Sequence, residues 1–236
     1  MHIYYPSYNR WDKVHAIEFL DYGHIVVPES QEADYRKNYG DAVIAIPDDQ
    51  DGWYTKKWNA VMDLAIKRNT PRYYQIDDDI DGCINTFTNE PFTGAEALEL
   101  LEIQYNLAEE MGAYLWGFTN SGQYSAQTQL KPFSMNKMFD QVYGIDVRDG
   151  IRHIHELRVF SNVDFGLQKL NQHRKTWRDN RHLWTEAYSK GGADSQIKKV
   201  KADRDNDMKV LYRRWGKDMF KYDDGYIKVK PKMLGI

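Results

Sequence analysis

The stretch that decides the fold is YYQIDDDIDGCI, residues 73–84, an aromatic and apolar run that ends in a dense group of carboxylates. Short aromatic and β-branched runs of this kind are typical of buried strands. In a parallel α/β sheet, the carboxyl ends of the strands form the edge that binds ligands. Adjacent carboxylates repel one another and lose hydration there, and a bound divalent cation removes that cost. The stretch therefore predicts an α/β fold with a metal site at a strand end.

Two other interpretations of the same residues are open. Counted from Asp77, the pattern D-x-D-x-D-G opens a calcium loop of the EF-hand type, with Asp77, Asp79 and Asp81 as ligands. An EF-hand needs a preceding helix and a glutamate at position twelve, whereas the preceding residues are strand-like and position twelve is Thr88. A plain surface turn is the other interpretation, since Asp and Gly are common turn residues. The flanking residues favour the metal-binding strand end over both.

The composition is that of a globular protein, with 42% hydrophobic and 28% charged residues in a chain of 236. Cys83 is the single cysteine, so no internal disulfide forms and a reducing compartment is expected. No apolar run is long enough for a membrane span, and the N-terminal sequence has no signal-peptide core. We therefore expect a cytoplasmic protein without a membrane partner.

Short apolar runs alternate with helical patterns along the first half of the chain. The runs cover residues 2–6, 24–28, 42–47 and 72–77, and the helical patterns between them cover 12–22, 30–39 and 53–69. This alternation predicts right-handed crossovers and a mainly parallel sheet. A capping box from Thr93 to Glu96 predicts a further helix, and AYLWGF after it a further strand. Residues 119–150 show no regular pattern, and no repeat or linker divides the chain.

The net charge of −3 conceals an uneven distribution. Residues 1–164 hold 14 Lys and Arg against 26 Asp and Glu, whereas residues 165–236 hold 18 against 9. The basic end predicts a surface that faces a polyanion, with a solvated charged helix as the alternative because acidic residues interrupt it. The cations of that predicted surface are Lys198, Lys199, Lys201, Arg204, Lys209, Arg213 and Arg214.

Three stretches gather at one edge of the predicted sheet, and their order resembles a known family. They are PSYNR after the first strand, the W-N pair in the helix before the fourth, and IDDD at the end of the fourth. This order resembles the GT-A type of nucleotide-sugar glycosyltransferase. The further spacing of VVPES, VDFGLQ and the KGG loop is similar to phage-type glycosyltransferases encoded beside TET-like dioxygenases. Those enzymes are proposed to glycosylate hydroxymethylated pyrimidines in DNA.

The resemblance, which covers about residues 3–216, implies both a fold and a function. It implies a Rossmann-like GT-A fold with a mainly parallel, mixed central sheet flanked by helices. Residues 1–236 would form a single catalytic domain, with a nucleotide-sugar-binding half at 1–118 and an acceptor-binding half at 119–236. The implied donor is a UDP-sugar, and the implied acceptor is 5-hydroxymethylcytosine or a related pyrimidine in phage DNA. A phage enzyme would act in the host cytoplasm.

The resemblance also implies site residues. Asp77 and Asp79 point the same way along an extended chain and would ligate Mn²⁺ or Mg²⁺, with His182 as a third ligand. Asp164 would be the base that takes the proton from the acceptor hydroxyl, while an S-x-x-D capping box from Ser161 is the alternative for it. The implied nucleotide-sugar-binding residues are Pro6, Ser7, Tyr8, Asn9, Arg10, Lys57, Asn59, Asp77, Asp78, Lys190, Gly191 and Gly192.

Other functions are compatible with parts of this pattern. A metal-dependent nucleotidyltransferase also uses paired carboxylates, although it should carry a Gly-rich phosphate loop near the first strand, which PSYNRWDK is not. A non-catalytic metal-binding or nucleic-acid-binding module would show no turnover. A glycosyltransferase could also act on a glycan or a protein. The sequence alone does not choose the sugar or the acceptor.

Overall fold

The computed structural model describes residues 1–120, 131–187, 200–223, 226–230 and 234. In this part of the chain, nine strands form one mixed sheet and two more form a separate hairpin. The sheet strands are β1 (Ile3–Pro6), β2 (His24–Pro28), β3 (Val43–Ile46), β4 (Arg72–Ile76), β5 (Ile80–Asn85), β6 (Leu115–Asn120), β7 (Phe133–Ser134), β8 (Val142–Asp146) and β9 (Trp177–Glu186). The hairpin strands are β10 (Phe220–Asp223) and β11 (Tyr226–Val229).

Helices cover the sheet on both sides and connect its strands. They are α1 (His15–Leu20), α2 (Glu32–Tyr39), α3 (Tyr54–Lys67), α4 (Gly94–Glu110), α5 (Ser161–His173) and α6 (Val200–Trp215). Within the described residues, no helix is long and apolar enough to cross a membrane.

The strand order explains why the sheet is parallel at one end and mixed at the other. The order is β3-β2-β1-β4-β8-β6-β9-β5, with β7 paired to β9. The first four strands of the chain pair in parallel, as the alternating pattern predicts. β8 then runs antiparallel to both β4 and β6. The sequence pattern misses β8, which lies inside the stretch without regular periodicity.

Two tyrosine pairs show how the sheet builds a core on each face. Tyr4 and Tyr73 are buried on one face, and Tyr5 and Tyr74 on the other, because successive side chains of a strand alternate. The buried hydroxyl of Tyr74 donates to the carbonyl oxygen of Leu101 on α4 at 3.0 Å. Tyr74 therefore contributes burial without leaving its hydroxyl unpaired, whereas the buried hydroxyl of Tyr73 has no hydrogen-bond partner among the described residues.

The predicted start of α4 is confirmed. The hydroxyl of Thr93 accepts from the backbone N–H of Glu96 at 3.3 Å, and the Glu96 carboxylate accepts from the backbone N–H of Thr93 at 2.8 Å. Gly94 follows the cap, and a Cβ added there would lie 1.8 Å from the carbonyl oxygen of Phe19. Glycine at this position allows α4 to begin against the end of α1.

The C-terminal elements form a third apolar cluster on α5. Leu167, Leu211 and Phe220 are among its buried members and join α5, α6 and the hairpin. Asp207 of α6 accepts hydrogen bonds from the backbone N–H groups of residues 158–160, at 2.6 to 3.1 Å. These N–H groups precede α5, so α6 supplies the cap that α5 lacks in its own sequence.

Candidate functional site

The predicted site lies where β1 and β4 end side by side. Because Ile3 pairs with Tyr74 and Tyr4 with Gln75 in parallel, the two strands deliver their carboxyl ends to the same edge. The turn at 7–10 follows β1, and the acidic residues 77–79 follow β4. The structure therefore brings these two predicted stretches together.

Asp78 ties the turn to the acidic strand end. Its carboxylate accepts a hydrogen bond of 2.5 Å from the hydroxyl of Ser7 and forms an ion pair with Nη1 of Arg10. The same nitrogen of Arg10 lies 3.1 Å from Oδ2 of Asp79. Burial raises the pKa of Asp78, while Arg10 and Ser7 oppose that rise. Asp78 is therefore an anchor for the turn, and its oxygens are engaged within the protein.

A second set of contacts holds the turn from the side of α2. The hydroxyl of Tyr35 lies 2.8 Å from the hydroxyl of Ser7 and accepts from the backbone N–H of Arg10 at 2.9 Å. Asn9 has a positive φ of 54°, and it exchanges two hydrogen bonds with Gln31, of 2.9 and 2.6 Å. Neither Tyr35 nor Gln31 belongs to the predicted site. Their roles depend on contacts that the local sequence pattern does not reveal.

Lys57 stabilises the conformation of the turn at 7–10. Its buried ammonium donates to the carbonyl oxygen of Ser7 at 2.6 Å and forms an ion pair of 2.8 Å with Asp51. It also lies 5.3 Å from the centre of the Tyr8 ring. Burial lowers the pKa of Lys57, and the negative charge of Asp51 opposes that change. In this structure Lys57 therefore fixes the turn, and its contact with a nucleotide stays a prediction.

Asn59 takes a different direction from Lys57 along α3. Its side-chain amide donates to the carbonyl oxygen of His153 at 2.8 Å and accepts from the His153 backbone N–H at 3.0 Å. Residues two apart on a helix point to different faces, so the predicted Lys57 and Asn59 pair is divided. Asn59 fixes the segment before α5 and does not reach the turn.

Asp77 is surrounded by other carboxylates. Burial and the nearby carboxylates of Asp79, Asp140 and Glu186 raise the pKa of Asp77 well above its usual value. Glu186 belongs to this group because the end of β9 pairs with the start of β5, next to Asp79. Asp140 belongs to it because the segment before β8 runs beside the end of β4. The sequence pattern indicated neither residue. A cation at this position would lower the repulsion among the carboxylates.

These residues fit a hard divalent cation that is completed by a substrate. Within residues 1–120, 131–187 and the described C-terminal segments, no three His, Cys, Asp or Glu side chains are arranged to enclose a metal by themselves. Mg²⁺ and similar ions are often held by one or two carboxylates together with substrate phosphates and water. Asp77 and Asp79 can supply such a partial set.

The predicted metal ligand His182 lies on β9, away from the acidic strand end. It precedes Glu186 by four residues on β9, which separates them by about 13 Å along an extended strand. Glu186 pairs with Ile80 beside the acidic strand end, so His182 lies well away from it. The ring of His182 instead contacts the carboxylate of Asp179 at 3.2 Å and the edge of Phe92. The geometry gives no support for His182 as a third ligand.

Asp164 also differs from both sequence-based interpretations. Its carboxylate accepts hydrogen bonds from Gln168 at 2.7 Å, from Arg214 at 2.8 Å and from Trp215 at 2.7 Å. The side chain is 1% exposed, so these contacts enclose it. The S-x-x-D pattern forms no capping box, since the N-cap of α5 is Phe160 without a side-chain hydrogen bond. Asp164 joins α5 to α6 in this structure.

The first turn of α5 nevertheless reaches the acidic group through a neighbour of Asp164. The side-chain amide of Asn162 donates to the carboxylate of Asp140 at 3.2 Å. Asp140 is exposed and close enough to Asp77 to raise its pKa. The turn that carries the predicted base is therefore next to the site, although the side chain of Asp164 points to α6.

The predicted phosphate loop Lys190, Gly191 and Gly192 lies outside the described residues.

Comparisons with known proteins agree on the fold. The sequence profile of the TET-Associated Glycosyltransferase family matches residues 1–192. No curated protein matches the chain. S. aureus TarS 1-349 in complex with UDP is similar with a TM-score of 0.51 and 11% identity, over 98% of this chain and 96% of that one. At this identity the likeness concerns the fold alone, and it confirms the predicted GT-A architecture.

Two further structures are similar at lower scores. S. aureus TarS 1-349 without UDP has a TM-score of 0.48 and 10% identity, over 98% of this chain and 96% of that one. A putative nucleotide-diphospho-sugar transferase from Desulfovibrio desulfuricans G20 has a TM-score of 0.40 and 10% identity, over 77% and 83% of the two chains.

Proposed function

Because the chain belongs to the TET-associated glycosyltransferase family, we propose that it transfers a sugar, with a divalent cation bound, to a hydroxymethylated pyrimidine in DNA. Family membership makes it a glycosyltransferase of the nucleotide-sugar type. The metal, the nucleotide and the acceptor are the proposed parts. The observation that supports the metal and the nucleotide is the convergence of Asp77, Asp79, Asp140 and Glu186 beside a rigidly held turn after β1. The proposed acceptor rests on the family alone.

The turn at 7–10 is the proposed binding site for the nucleoside. Tyr35 and Lys57 fix its backbone and Asp78 holds two of its side chains, so little ordering is left for the ligand to impose. Tyr8 and the exposed Asn9 are then available to contact the base and the ribose. A protein of the same fold is described as a complex with UDP, which makes UDP-sugars the first donors to test.

Asp77 and Asp79 are the proposed ligands of Mn²⁺ or Mg²⁺. The bound cation would neutralise the diphosphate that leaves with the nucleotide. Arg10 and Ser7 hold the carboxylate of Asp78 in contacts within the protein, away from the proposed metal position. Because the pKa of Asp77 is raised, a proton competes with the cation for this carboxylate at low pH, and metal binding should strengthen as the pH rises.

The proton acceptor is one of two carboxylates near the first turn of α5. Asp164 is the base predicted from the sequence, but it must first leave Arg214 and Trp215 to reach an acceptor. Asp140 is exposed and already lies beside the acidic group. A general base must come within hydrogen-bond reach of the acceptor hydroxyl, so the present geometry favours Asp140 and makes Asp164 a positioning residue.

Transfer from radiolabelled UDP-sugars to defined duplexes tests the proposal. The two duplexes differ only in carrying 5-hydroxymethylcytosine or cytosine at one position, and each is tested with Mn²⁺ and with a chelator. We expect label only in the hydroxymethylated duplex and only with the metal present. Labelling that ignores the hydroxymethyl group, or labelling of proteins or glycans alone, would contradict the DNA acceptor. The family assignment would stand in either case.

A further inference from the structure

Three of the five α6 cations that were predicted to form a basic surface contact acidic or polar groups. Arg213 pairs with Glu156 at 2.5 Å, and Arg214 pairs with Asp164 at 2.8 Å. Lys209 donates to the side chain of Asn206 at 3.3 Å. Lys198 and Lys199 lie outside the described residues. The described part of α6 therefore gives little support for a polyanion site.

A different group of cations gathers around the outer edge of the sheet. We call it the basic rim, and it consists of Lys131, Lys137, Arg178 and Lys228. Its members come from three separate segments of the chain, so charge patterning along the chain does not reveal it.

The pairing of β7 with β9 brings Lys131 and Arg178 together. Ser134 pairs with Arg178 across the two strands. The side chain of Asn180 connects them further, because its amide donates to the carbonyl oxygen of Lys131 at 2.7 Å and its oxygen accepts from Nε of Arg178 at 2.7 Å. Lys131 is exposed, while Arg178 is buried at the base of the rim.

Lys137 and Lys228 complete the rim through the apolar cluster beneath them. Met138 packs in the same cluster as Ile227 and Val229. Lys228 lies between these two hairpin residues, and alternation along a strand turns it outward. Burial, followed by the positive charges of Arg178, Lys131 and Lys228, lowers the pKa of Lys137. The other three cations thus act on Lys137, and an anion beside it would relieve that repulsion.

The basic rim lies at a definite distance from the candidate site, and one segment connects the two. A continuous row of paired residues runs across the sheet, namely Gln75, Tyr143, Gly117, Arg178 and Ser134. The distance from Gln75 to Ser134 is four strand spacings, or about 19 Å. Residues 135–140 then return from β7 to Asp140, beside Asp77. One segment therefore carries Lys137 towards the site and ends at its acidic group.

We propose that the basic rim binds the phosphodiester backbone of the nucleic-acid acceptor, on one side of the nucleotide that receives the sugar. This inference rests on the proposed function and adds the surface that holds the acceptor. Phosphates follow one another at about 3.4 Å along each strand of a duplex, so the rim contacts the chain about five or six nucleotides from the reacting base. A DNA acceptor with fewer nucleotides than this beyond the reacting base cannot contact the rim.

The test compares Lys131→Glu/Lys228→Glu with the control Lys37→Glu/Lys67→Glu. All four lysines are exposed, and both double variants change the net charge equally. Binding of a labelled 20-nucleotide DNA is measured by fluorescence anisotropy from 50 to 200 mM salt. We expect the rim variant to bind at least tenfold more weakly at low salt, with a salt slope reduced by about one to two. The control should stay within twofold of the wild type.

Three results would overturn the proposal. They are a rim variant that binds DNA like the wild type, a control that weakens as much, and a wild type that binds inorganic polyphosphate but not DNA. Hydrolysis of the nucleotide sugar without acceptor, together with the melting temperature, shows whether the rim variant is folded. That reaction should be unchanged, since the rim does not touch the donor.

Acceptor length separates this inference from the proposed function. The wild type should prefer a 20-nucleotide acceptor to one of three nucleotides, and the rim variant should lose that preference. If the wild type binds DNA through the rim but transfers no sugar to it, the acceptor in the proposed function is wrong and the rim stands. If transfer occurs equally to short and long acceptors in both proteins, the rim proposal fails and the proposed function stands.

Discussion

Two carboxylate regions that the sequence marks as catalytic have opposite surroundings. At the end of β4, Asp77 and Asp79 lie among other carboxylates, and the pKa of Asp77 is raised. In α5, Asp164 is enclosed by three hydrogen-bond donors, including Arg214 and Trp215. A satisfied buried carboxylate stabilises the fold that surrounds it. The repulsion from neighbouring carboxylates that raises the pKa of Asp77 instead indicates a place where a cationic ligand binds.

Asp79→Asn should have the largest effect on activity. The change removes negative charge from the proposed metal position, while the fold loses little because Asp79 makes one partly exposed ion pair. We expect turnover to fall by about two to three orders of magnitude, with an unchanged melting temperature. The measurement is transfer from the radiolabelled UDP-sugar that labels the hydroxymethylated duplex. Glu102→Gln, on the exposed face of α4, is the matched control. If Asp79→Asn keeps near wild-type turnover, the end of β4 is not the metal site that distinguishes it from the structural carboxylate in α5.

Asp164→Asn should affect stability more than chemistry. The variant weakens hydrogen bonds to Arg214 and Trp215 and leaves a half-buried guanidinium with a poorer partner. We expect a loss of about 2 kcal/mol in the free energy of unfolding, measured by urea denaturation. Turnover of the folded fraction should fall less than tenfold. A fall of about two to four orders of magnitude with unchanged stability is what a general base predicts, and it would reverse our assignment.

Lys57→Met should act on donor binding. The variant removes the ammonium that holds the carbonyl oxygen of Ser7 and leaves Asp51 without its cation. Because the turn then loses its fixed conformation, we expect KM for the nucleotide sugar to rise about tenfold, with a smaller change in kcat. Steady-state kinetics at varied donor concentration measures this. A change in kcat alone would show that Lys57 acts on the reaction and not on the turn.

These contrasts also show what the sequence could predict. The parallel strands, the start of α4 and the gathering of residues 7–10 with 77–79 follow from local patterns and from parallel pairing. The roles of Tyr35 and Asp140 do not, because they depend on contacts between distant segments. Asp164 illustrates the same limit, since its partners come from α6, 50 residues later. Side chains at strand ends are predictable, whereas the surroundings of a helix residue require the tertiary fold.

His153→Phe should give the smallest effect, on the pH dependence of stability. Burial lowers the pKa of His153 to about 3. The native state therefore disfavours the charged ring, and the stability from the neutral ring is lost as the pH falls below the unfolded value of about 6.5. Between pH 7 and 5.5 the wild type should lose about 1 kcal/mol more than the variant. Phenylalanine preserves stacking on Phe165. Parallel stability curves for the two proteins would show that His153 does not titrate in this way.

Calorimetric titration of UDP, with Mn²⁺ and with a chelator, tests the central claim about the strand end most directly. If Asp77 and Asp79 hold a cation that bridges to the diphosphate, Mn²⁺ should raise the affinity of the wild type for UDP at least tenfold. Asp79→Asn should lose that gain, and Asp164→Asn should keep it. Equal UDP affinity with and without Mn²⁺ in the wild type, or an undiminished gain in Asp79→Asn, would contradict the account.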